Sequence, residues 1–341
     1  MAVDKRTVLI LRIVAAIVTT VSLVIFPPWH AAWAWLRPLP DTVAEQVRMS
    51  VEHDVDGVIV YVDRRGAEPE TYAAGWKDRA DRVPAEPTAL FKIASISKLY
   101  VAATVADVVN DGMLSLDDTV ASRLPELADR IQHSDRITVR MLVQHRSGIP
   151  DYVRTEGFRW NQLTHEEKLT LALEQPPAFE PDEDHGYSNT NFLLLGVILD
   201  DVLGYSHRQY VRERFLDPLE LRHTFHHVRD ADTERMAGGD HYEVEDNLAT
   251  FGINGPDRKS PGGSMVATAS DVGVFLRALR DGTLLDDKAQ SIYTSIYEYE
   301  HGGWVPGYQS TAGYHEDYRC GRSPVRELNR RAIGDGDARR L

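Results

Sequence analysis

The N-terminal stretch TVLILRIVAAIVTTVSLVIF, residues 7–26, constrains the fold of this chain more than any other feature of the sequence. Arg12 is its only charged residue, and a helix of about 20 apolar residues can cross the hydrocarbon core of a membrane. Lys5 and Arg6 precede the stretch, and basic flanks stay on the cytoplasmic side. The pattern predicts a single N-terminal transmembrane helix, with the rest of the chain in an extracytoplasmic location.

A cleaved signal peptide is the alternative interpretation, because the Ala-Trp-Ala tripeptide at 32–34 fits the pattern of a cleavage site. Cleavage would release a secreted or periplasmic protein. The length of the apolar run and the tryptophans that follow it favour an uncleaved anchor, since tryptophan is enriched at membrane interfaces. We assign residues 1–40 to the anchor or signal peptide and a linker.

Acidic residues outnumber basic ones by 52 to 38, which gives a formal net charge of −14. Such a balance argues against a nucleic-acid partner, because nucleic-acid binding depends on clustered positive charge. The single cysteine, Cys320, excludes an intrachain disulfide and a cysteine-rich metal site.

Apolar periodicity predicts the order of the main secondary-structure elements. Alternating apolar residues predict strands at about 56–63 and 70–76. Helical periodicity predicts helices that include 190–204 and 269–282, the second with Ser270 as its N-cap. Strands at the front and helices through the middle are typical of an α+β domain with a mostly helical insertion.

The stretch FKIASISKLYVA, residues 91–102, contains the first candidate for chemistry. Ser95 and Lys98 are three positions apart and share one face of a helix, whereas Ser97 points elsewhere. A serine hydroxyl is a weak nucleophile until a neighbouring group takes its proton, and a partly desolvated lysine at a helix start can assist. An ordinary capped helix would contain such a pair equally well, so the pair needs support from other segments.

Two further segments supply that support. Tyr187 and Asn189 in HGYSNTNFLLLG precede an apolar helix, where a phenol could relay a proton and an amide could contact a substrate amide. His301, Gly302 and Gly303 in EHGGWVPGYQS stand in a strand-like context, where glycines allow a substrate backbone to approach a sheet edge.

Five segments, in this order along the chain, resemble the serine β-lactamase-related family, which includes class C β-lactamases, D-alanyl-D-alanine carboxypeptidases and esterases. They are FKIASISK, LVQHRSGIPDY, GYSNTNFLLLG, GGSMVATASDVGVFLRAL and HGGWVPGY. The resemblance covers residues 41–310 and implies a β-lactamase/transpeptidase-like fold, in which helices flank an antiparallel sheet.

By this resemblance, Ser95 matches the serine that becomes acylated and Lys98 matches its activating partner. Tyr187 matches the tyrosine base, and Asn189 matches the asparagine that contacts substrate. The resemblance implies no metal and no organic cofactor.

The third motif of the family matches His301, Gly302 and Gly303, on the strand that lines the site. The resemblance also implies an oxyanion hole made from the backbone N–H groups of Ser95 and Trp304. His301 departs from the lysine of classical β-lactamases. A neutral imidazole recognises a carboxylate less strongly than an ammonium does, which favours the carboxypeptidase and esterase branches.

Two groups of side chains suggest a metal site but have a simpler interpretation. The acidic segment at 182–185 precedes Tyr187, and we interpret it as a solvated loop. His223, His226 and His227 would converge on a metal only on a helix, and their segment is predicted to be extended or a loop. We assign His145, a turn histidine of the family, to packing.

Residues 311–341 do not continue the family pattern of two more strands and a closing helix. The sequence is rich in arginine and shows neither the strand period nor the helix period. We interpret it as an atypical basic tail, and a shifted reading frame or a truncated C-terminus as its hypothetical origin.

The sequence thus predicts a membrane-anchored extracytoplasmic serine hydrolase. It would act through a Ser95 acyl-enzyme on an amide, ester or β-lactam carbonyl of a small-molecule or peptidoglycan-derived substrate. The alternatives are a penicillin-binding sensor that does not turn over and an inactive truncated homologue.

Overall fold

The computed structural model describes residues 4–25, 38–52, 55–159, 163–238 and 260–314. The tryptophans and cleavage pattern after residue 26, Cys320 and the basic tail beyond residue 314 lie outside the described residues. The chain divides into two units, one up to Gln46 and one from Val47 onward.

The N-terminal unit contains helix α1, Lys5–Ile25. Within the described part of the chain, no helix is both long enough and apolar enough to cross a membrane. The transmembrane helix expected at residues 7–26 therefore stays a prediction from the sequence.

Among the described residues, the remaining helices of four residues or more lie mostly in the middle of the chain, between Lys92 and Thr224. They are α2 (Val43–Ser50), α3 (Ser97–Asn110), α4 (Val120–Arg123), α5 (Val139–Val143), α6 (His165–Leu173), α7 (Asn189–Leu203), α8 (His207–Val211), α9 (Ala269–Asp281) and α10 (Asp287–Ile296). A five-residue π-helical segment, Arg212–Leu216, continues α8.

The strands pair in three antiparallel groups. They are β1 (Gly57–Val62), β2 (Glu70–Asp78), β3 (Val83–Pro84), β4 (Phe91–Lys92), β5 (Thr224–Phe225), β6 (Val266–Ala267), β7 (Glu300–Val305) and β8 (Tyr308–Gly313). The strand orders are β1-β2-β3, β4-β6-β5 and β7-β8. In the β7–β8 hairpin, Gly303 is opposite Ser310.

Helix α3 lies at the centre of the hydrophobic core, and every residue from Ser97 to Val108 is buried. Helices α7 and α10 pack against it, and Phe275 of α9 stacks on Tyr100 with ring centroids 3.7 Å apart. Burying one such side chain contributes about 1.5–3 kcal/mol. The packing fixes the start of α3 relative to α7.

The mixture of helices and antiparallel strands agrees with the predicted α+β class. The strands predicted at 56–63 and 70–76 are β1 and β2, and the helix predicted at 190–204 is α7, ended by Gly204 at φ 71°. The predicted cap of α9 is wrong. Thr268 has extended backbone and accepts from the Asp271 N–H at 3.2 Å, whereas Ser270 lies inside the helix.

Candidate active site

Ser95 lies in a 3-10 turn, Ala94–Ile96, between β4 and α3. The turn begins with a left-handed residue, Ala94 at φ 49°, a conformation that costs a non-glycine residue about 1–2 kcal/mol. The backbone N–H of Ile93 donates to Met265 O at 3.1 Å and holds the turn in place. Surrounding structure thus keeps Ser95 at the entry to α3.

Ser97 is buried and has a structural role, as its position on another face of the helix predicts. Its hydroxyl donates to Ala94 O at 2.6 Å and accepts from the Met265 N–H at 3.3 Å. These two bonds tie the strained turn to the strand segment that contains β6.

The ammonium group of Lys98 has three hydrogen-bond acceptors around it and is fully buried. Lys98 Nζ lies 3.2 Å from Ser95 Oγ, 2.9 Å from Asn189 Oδ1 and 2.8 Å from Gly262 O. An ammonium has three N–H donors, so these three acceptors match its full capacity. The amine is therefore held in one direction, toward the serine hydroxyl.

Tyr187, 92 residues further along the chain, contacts the same hydroxyl. Its O–H donates to Ser95 Oγ at 3.0 Å, and Lys98 Nζ lies 5.0 Å from the centroid of its ring. The ring of His145 packs against the Tyr187 ring, with centroids 4.4 Å apart. The predicted convergence of hydroxyl, amine and phenol is thus present in the structure.

His145 supports the residues before α7 in addition to packing. Its Nδ1 accepts from the Ser188 N–H at 3.1 Å, which assigns the proton of the neutral ring to Nε2. Burial, followed by the charge of Lys98, lowers the pKa of His145 to about 3. The ring is therefore neutral beside Tyr187 at neutral pH.

Asn189, the first residue of α7, has protein partners at both ends of its amide. Oδ1 accepts from Lys98, while Nδ2 donates to Asp151 Oδ1 and Oδ2, each at 3.2 Å. The backbone N–H of Asn189 also donates to Asp151 Oδ1, at 3.1 Å. The predicted contact between Asn189 and a substrate amide stays a prediction.

Strand β7 places the third motif beside the turn that carries Ser95. A Cβ atom on Gly303 would lie 2.3 Å from Ile93 O and 2.4 Å from Ser310 Oγ, so only glycine allows this approach. Gly302 and Trp304 are exposed. The approach of β7 to the turn is compatible with an oxyanion hole made from the N–H groups of Ser95 and Trp304, which stays a prediction.

His301 of β7 lies near Tyr187 and Tyr297. Its ring stacks on Tyr297 with centroids 6.1 Å apart and lies 6.2 Å from the Tyr187 ring. Burial, followed by the charge of Lys98, lowers the pKa of His301 to about 4. At neutral pH the third motif therefore presents a neutral imidazole.

Sequence reasoning missed two residues that contact this group, Asp151 and Gly262. Both lie in segments that carry the family resemblance, LVQHRSGIPDY and GGSMVATASDVGVFLRAL. Nothing in those segments indicates that the Gly262 carbonyl accepts from Lys98 or that the Asp151 carboxylate accepts from Asn189. A Cβ on Gly262 would lie 3.0 Å from Lys98 Nζ. The packing of distant segments brings both residues to the site.

The two groupings considered for a metal do not form a site. Among the described residues, no three histidine, cysteine, aspartate or glutamate side chains are placed to hold a metal ion. Asp182 is paired instead with Arg146 at 2.5 Å, and His227 Nδ1 accepts from the Arg229 N–H at 3.1 Å.

Comparison with known proteins assigns this geometry to a family. A family model described as Beta-lactamase matches residues 35–317. Protein flp of Staphylococcus aureus (strain MW2) is 28% identical over 187 residues, which are 53% of this chain. The chain spans only 38% of the length of that relative.

Solved structures show the same fold. A D-stereospecific amidohydrolase from Streptomyces sp. has a TM-score of 0.68 at 25% identity, over 80% of this chain and 90% of that one. The D-amino acid amidase from Ochrobactrum anthropi SV3, complexed with D-phenylalanine, has a TM-score of 0.63 at 26% identity, over 78% and 77%. These matches show a β-lactamase/transpeptidase-like fold.

Proposed function

The chain belongs to the Beta-lactamase family, and from this premise we propose that it is a serine hydrolase that forms an acyl-enzyme on Ser95. One observation carries the proposal: Ser95 Oγ lies within hydrogen-bond distance of both Lys98 Nζ and Tyr187 Oη, at 3.2 and 3.0 Å. Either neighbour can take the serine proton when it is itself deprotonated, the lysine as a neutral amine or the tyrosine as a phenolate.

Acylation follows from this arrangement. Ser95 Oγ attacks the substrate carbonyl carbon while its proton passes to the basic partner, Tyr187 with Lys98 beside it. The carbon–heteroatom bond of the substrate then breaks, and the same proton goes to the leaving amine or alcohol. In this proposal the backbone N–H groups of Ser95 and Trp304 stabilise the negative oxygen of the intermediate, usually a large contribution to the rate.

Deacylation reverses the proton path with water in place of the leaving group. Tyr187 takes a proton from a water molecule that attacks the ester carbonyl, and the proton returns to Ser95 Oγ as the acyl group leaves. The products are a carboxylic acid and the free serine, so no other reactant is required.

The substrate class is an amide or ester that does not need a cation at the third motif. The low pKa of His301 keeps its ring neutral at neutral pH, and a neutral ring attracts a substrate carboxylate weakly. The structural neighbours described as amidase and amidohydrolase act on amide bonds by their names, which supports an amide substrate. A β-lactam is the alternative acyl donor.

Labelling with a fluorescent phosphonate and a fluorescent penicillin tests the proposal on the full chain. We expect a covalent label on Ser95 and its loss in Ser95→Ala. Ser97→Ala is the matched control, because Ser97 is two residues away and buried, and it should keep the label. A folded wild type that takes neither label would contradict the proposal. A burst of p-nitrophenyl ester cleavage without turnover would instead indicate the sensor alternative.

Membrane anchoring by residues 7–26 and an extracytoplasmic location are further proposals, and they rest on the sequence alone. Alkaline carbonate extraction of membranes from cells that express the full chain tests them. Retention in the pellet is expected for an anchored protein, and full release would contradict the anchor.

A further inference from the structure

A half-buried carboxylate, Asp151, lies next to Asn189 and is not used in the proposed mechanism. The Asp151 carboxylate accepts hydrogen bonds from the side-chain and backbone N–H groups of Asn189, at 3.1–3.2 Å. It also accepts the backbone N–H of Val153 at 3.2 Å, as the N-cap of the 3-10 turn Tyr152–Arg154. All of the contacting groups are N–H donors, which matches the ionised, acceptor-only form of the carboxylate.

The two charged groups on either side of Asn189 fix the orientation of its amide. A carboxylate can only accept hydrogen bonds, and an ammonium can only donate them. The amide of Asn189 must therefore direct Nδ2 toward Asp151 and Oδ1 toward Lys98. If the amide rotated by 180°, its N–H groups would face the ammonium and its oxygen would face the carboxylate.

The oxygen that Asn189 presents is one of three acceptors that direct the amine. The others are Gly262 O, a backbone group, and Ser95 Oγ, the proposed nucleophile. Loss of the fixed amide oxygen would leave Lys98 with one protein acceptor other than the nucleophile. The direction of the amine toward Ser95 then depends on the group that holds the amide.

We propose that Asp151 is a positioning residue for Lys98 and acts through Asn189, by holding the amide oxygen toward the amine. This inference rests on the proposed function, because the proximity of Lys98 to Ser95 matters only if Ser95 is the nucleophile. Asp151 itself touches neither Ser95 nor Lys98 through any described hydrogen bond. The hydrogen-bonded chain Asp151–Asn189–Lys98–Ser95 thus links a half-buried carboxylate to the serine.

Asp151→Asn tests the inference, because it removes the charge and keeps the shape. We expect the second-order rate of phosphonate labelling to fall about 10- to 100-fold. An amide at position 151 can both donate and accept hydrogen bonds, so it does not fix the orientation of the Asn189 amide as the carboxylate does. We also expect the pH profile of labelling to differ from that of the wild type, because the variant removes a negative charge close to the site. A residue that only stabilised the fold would not move this profile.

Two further variants separate positioning from folding. Asp151→Ser keeps an N-cap for the turn but cannot hold the Asn189 amide, so it should melt close to wild type and label as slowly as Asp151→Asn. Asp232→Asn is the matched control, because Asp232 caps the 3-10 turn Thr233–Arg235 through the same kind of bond, at 3.1 Å to Glu234 N. It should label at the wild-type rate.

A double-mutant cycle with Asn189→Ala decides whether Asp151 acts through Asn189. The double variant should label no more slowly than Asn189→Ala alone, since the second change removes a link already broken. Fully additive losses, or Asp151→Asn within twofold of the wild-type rate with an unchanged pH profile, would overturn the inference. Wild type without any label would instead refute the proposed function, so the two failures are distinct.

Discussion

The two sides of the candidate site differ in how deeply they are buried. We call Ser95, Lys98, Tyr187 and Asn189 the amine side, and β7 the strand side. On the amine side Lys98 has no exposed surface and three hydrogen-bond acceptors. On the strand side Trp304 is 51% exposed and Gly302 is also exposed.

We expect the amine side to perform the proposed chemistry and the strand side to contact the substrate. A buried ammonium is stable only when each of its donors is paired, so the amine side tolerates few changes. The strand side has one fixed point, Gly303, while its exposed positions can vary without loss of core packing. The same fold can therefore keep one chemistry and change its substrates.

The largest expected effect is a loss of folding stability at low pH, and a histidine near each side of the site contributes to it. His145, which packs against Tyr187 of the amine side, and His301 on the strand side have folded pKa values of about 3 and about 4, below the ordinary 6.5. The unfolded state therefore binds more protons below pH 6.5, and stability falls as the pH drops toward 4. The expected loss is about 1.4 kcal/mol per pH unit for each histidine.

Urea unfolding at pH 7.5, 5.5 and 4.5 measures this loss. His301→Asn should remove the contribution of one histidine, so its free energy of unfolding should depend less on pH than that of the wild type. Equal stability of the wild type at pH 7.5 and pH 4.5 would contradict the assignment of neutral buried rings.

The next largest effect is expected from alanine substitution at Gly303, where β7 approaches the turn that carries Ser95. Gly303→Ala should destabilise the protein by about 1–3 kcal/mol, because the new Cβ would overlap Ile93 O. It should also slow labelling of Ser95 as β7 moves away from the turn. Gly302→Ala is the matched control, since its nearest atom is Ser310 O at 4.0 Å.

Thermal melts and phosphonate labelling of the two alanine variants measure the difference. Equal melting temperatures for the two would show that β7 does not depend on close approach at Gly303.

The smallest expected effect concerns substrate choice on the strand side. His301→Lys introduces a cation where the wild type has a neutral ring at neutral pH. We expect the ratio of penicillin labelling to neutral-ester hydrolysis to rise about tenfold, or about 1.4 kcal/mol, because the ammonium attracts the penicillin carboxylate. The kcat/KM values for both substrates provide the test, and an unchanged ratio would show that the third motif does not set this preference.

Much of the fold could be predicted from local patterns. Apolar alternation located β1 and β2, and helical periodicity with a terminal glycine located α7. The cap of α9 could not be assigned correctly, because Thr268 and Ser270 are both good caps and only the backbone conformation distinguishes them.

The candidate site divides in the same way. The spacing of Ser95 and Lys98 determines that they share a helix face, because that relation is local and has a period of 3.6 residues. The sequence by itself thus determined the pair, the exclusion of Ser97 and the family motifs. Only the tertiary structure decided that Asp151 and Gly262 complete the lysine environment and that Gly303 must lack a side chain. The partners are far apart in the sequence, 38 residues for Asp151 and Asn189 and 164 residues for Gly262 and Lys98, and a local periodic pattern carries no information on such contacts.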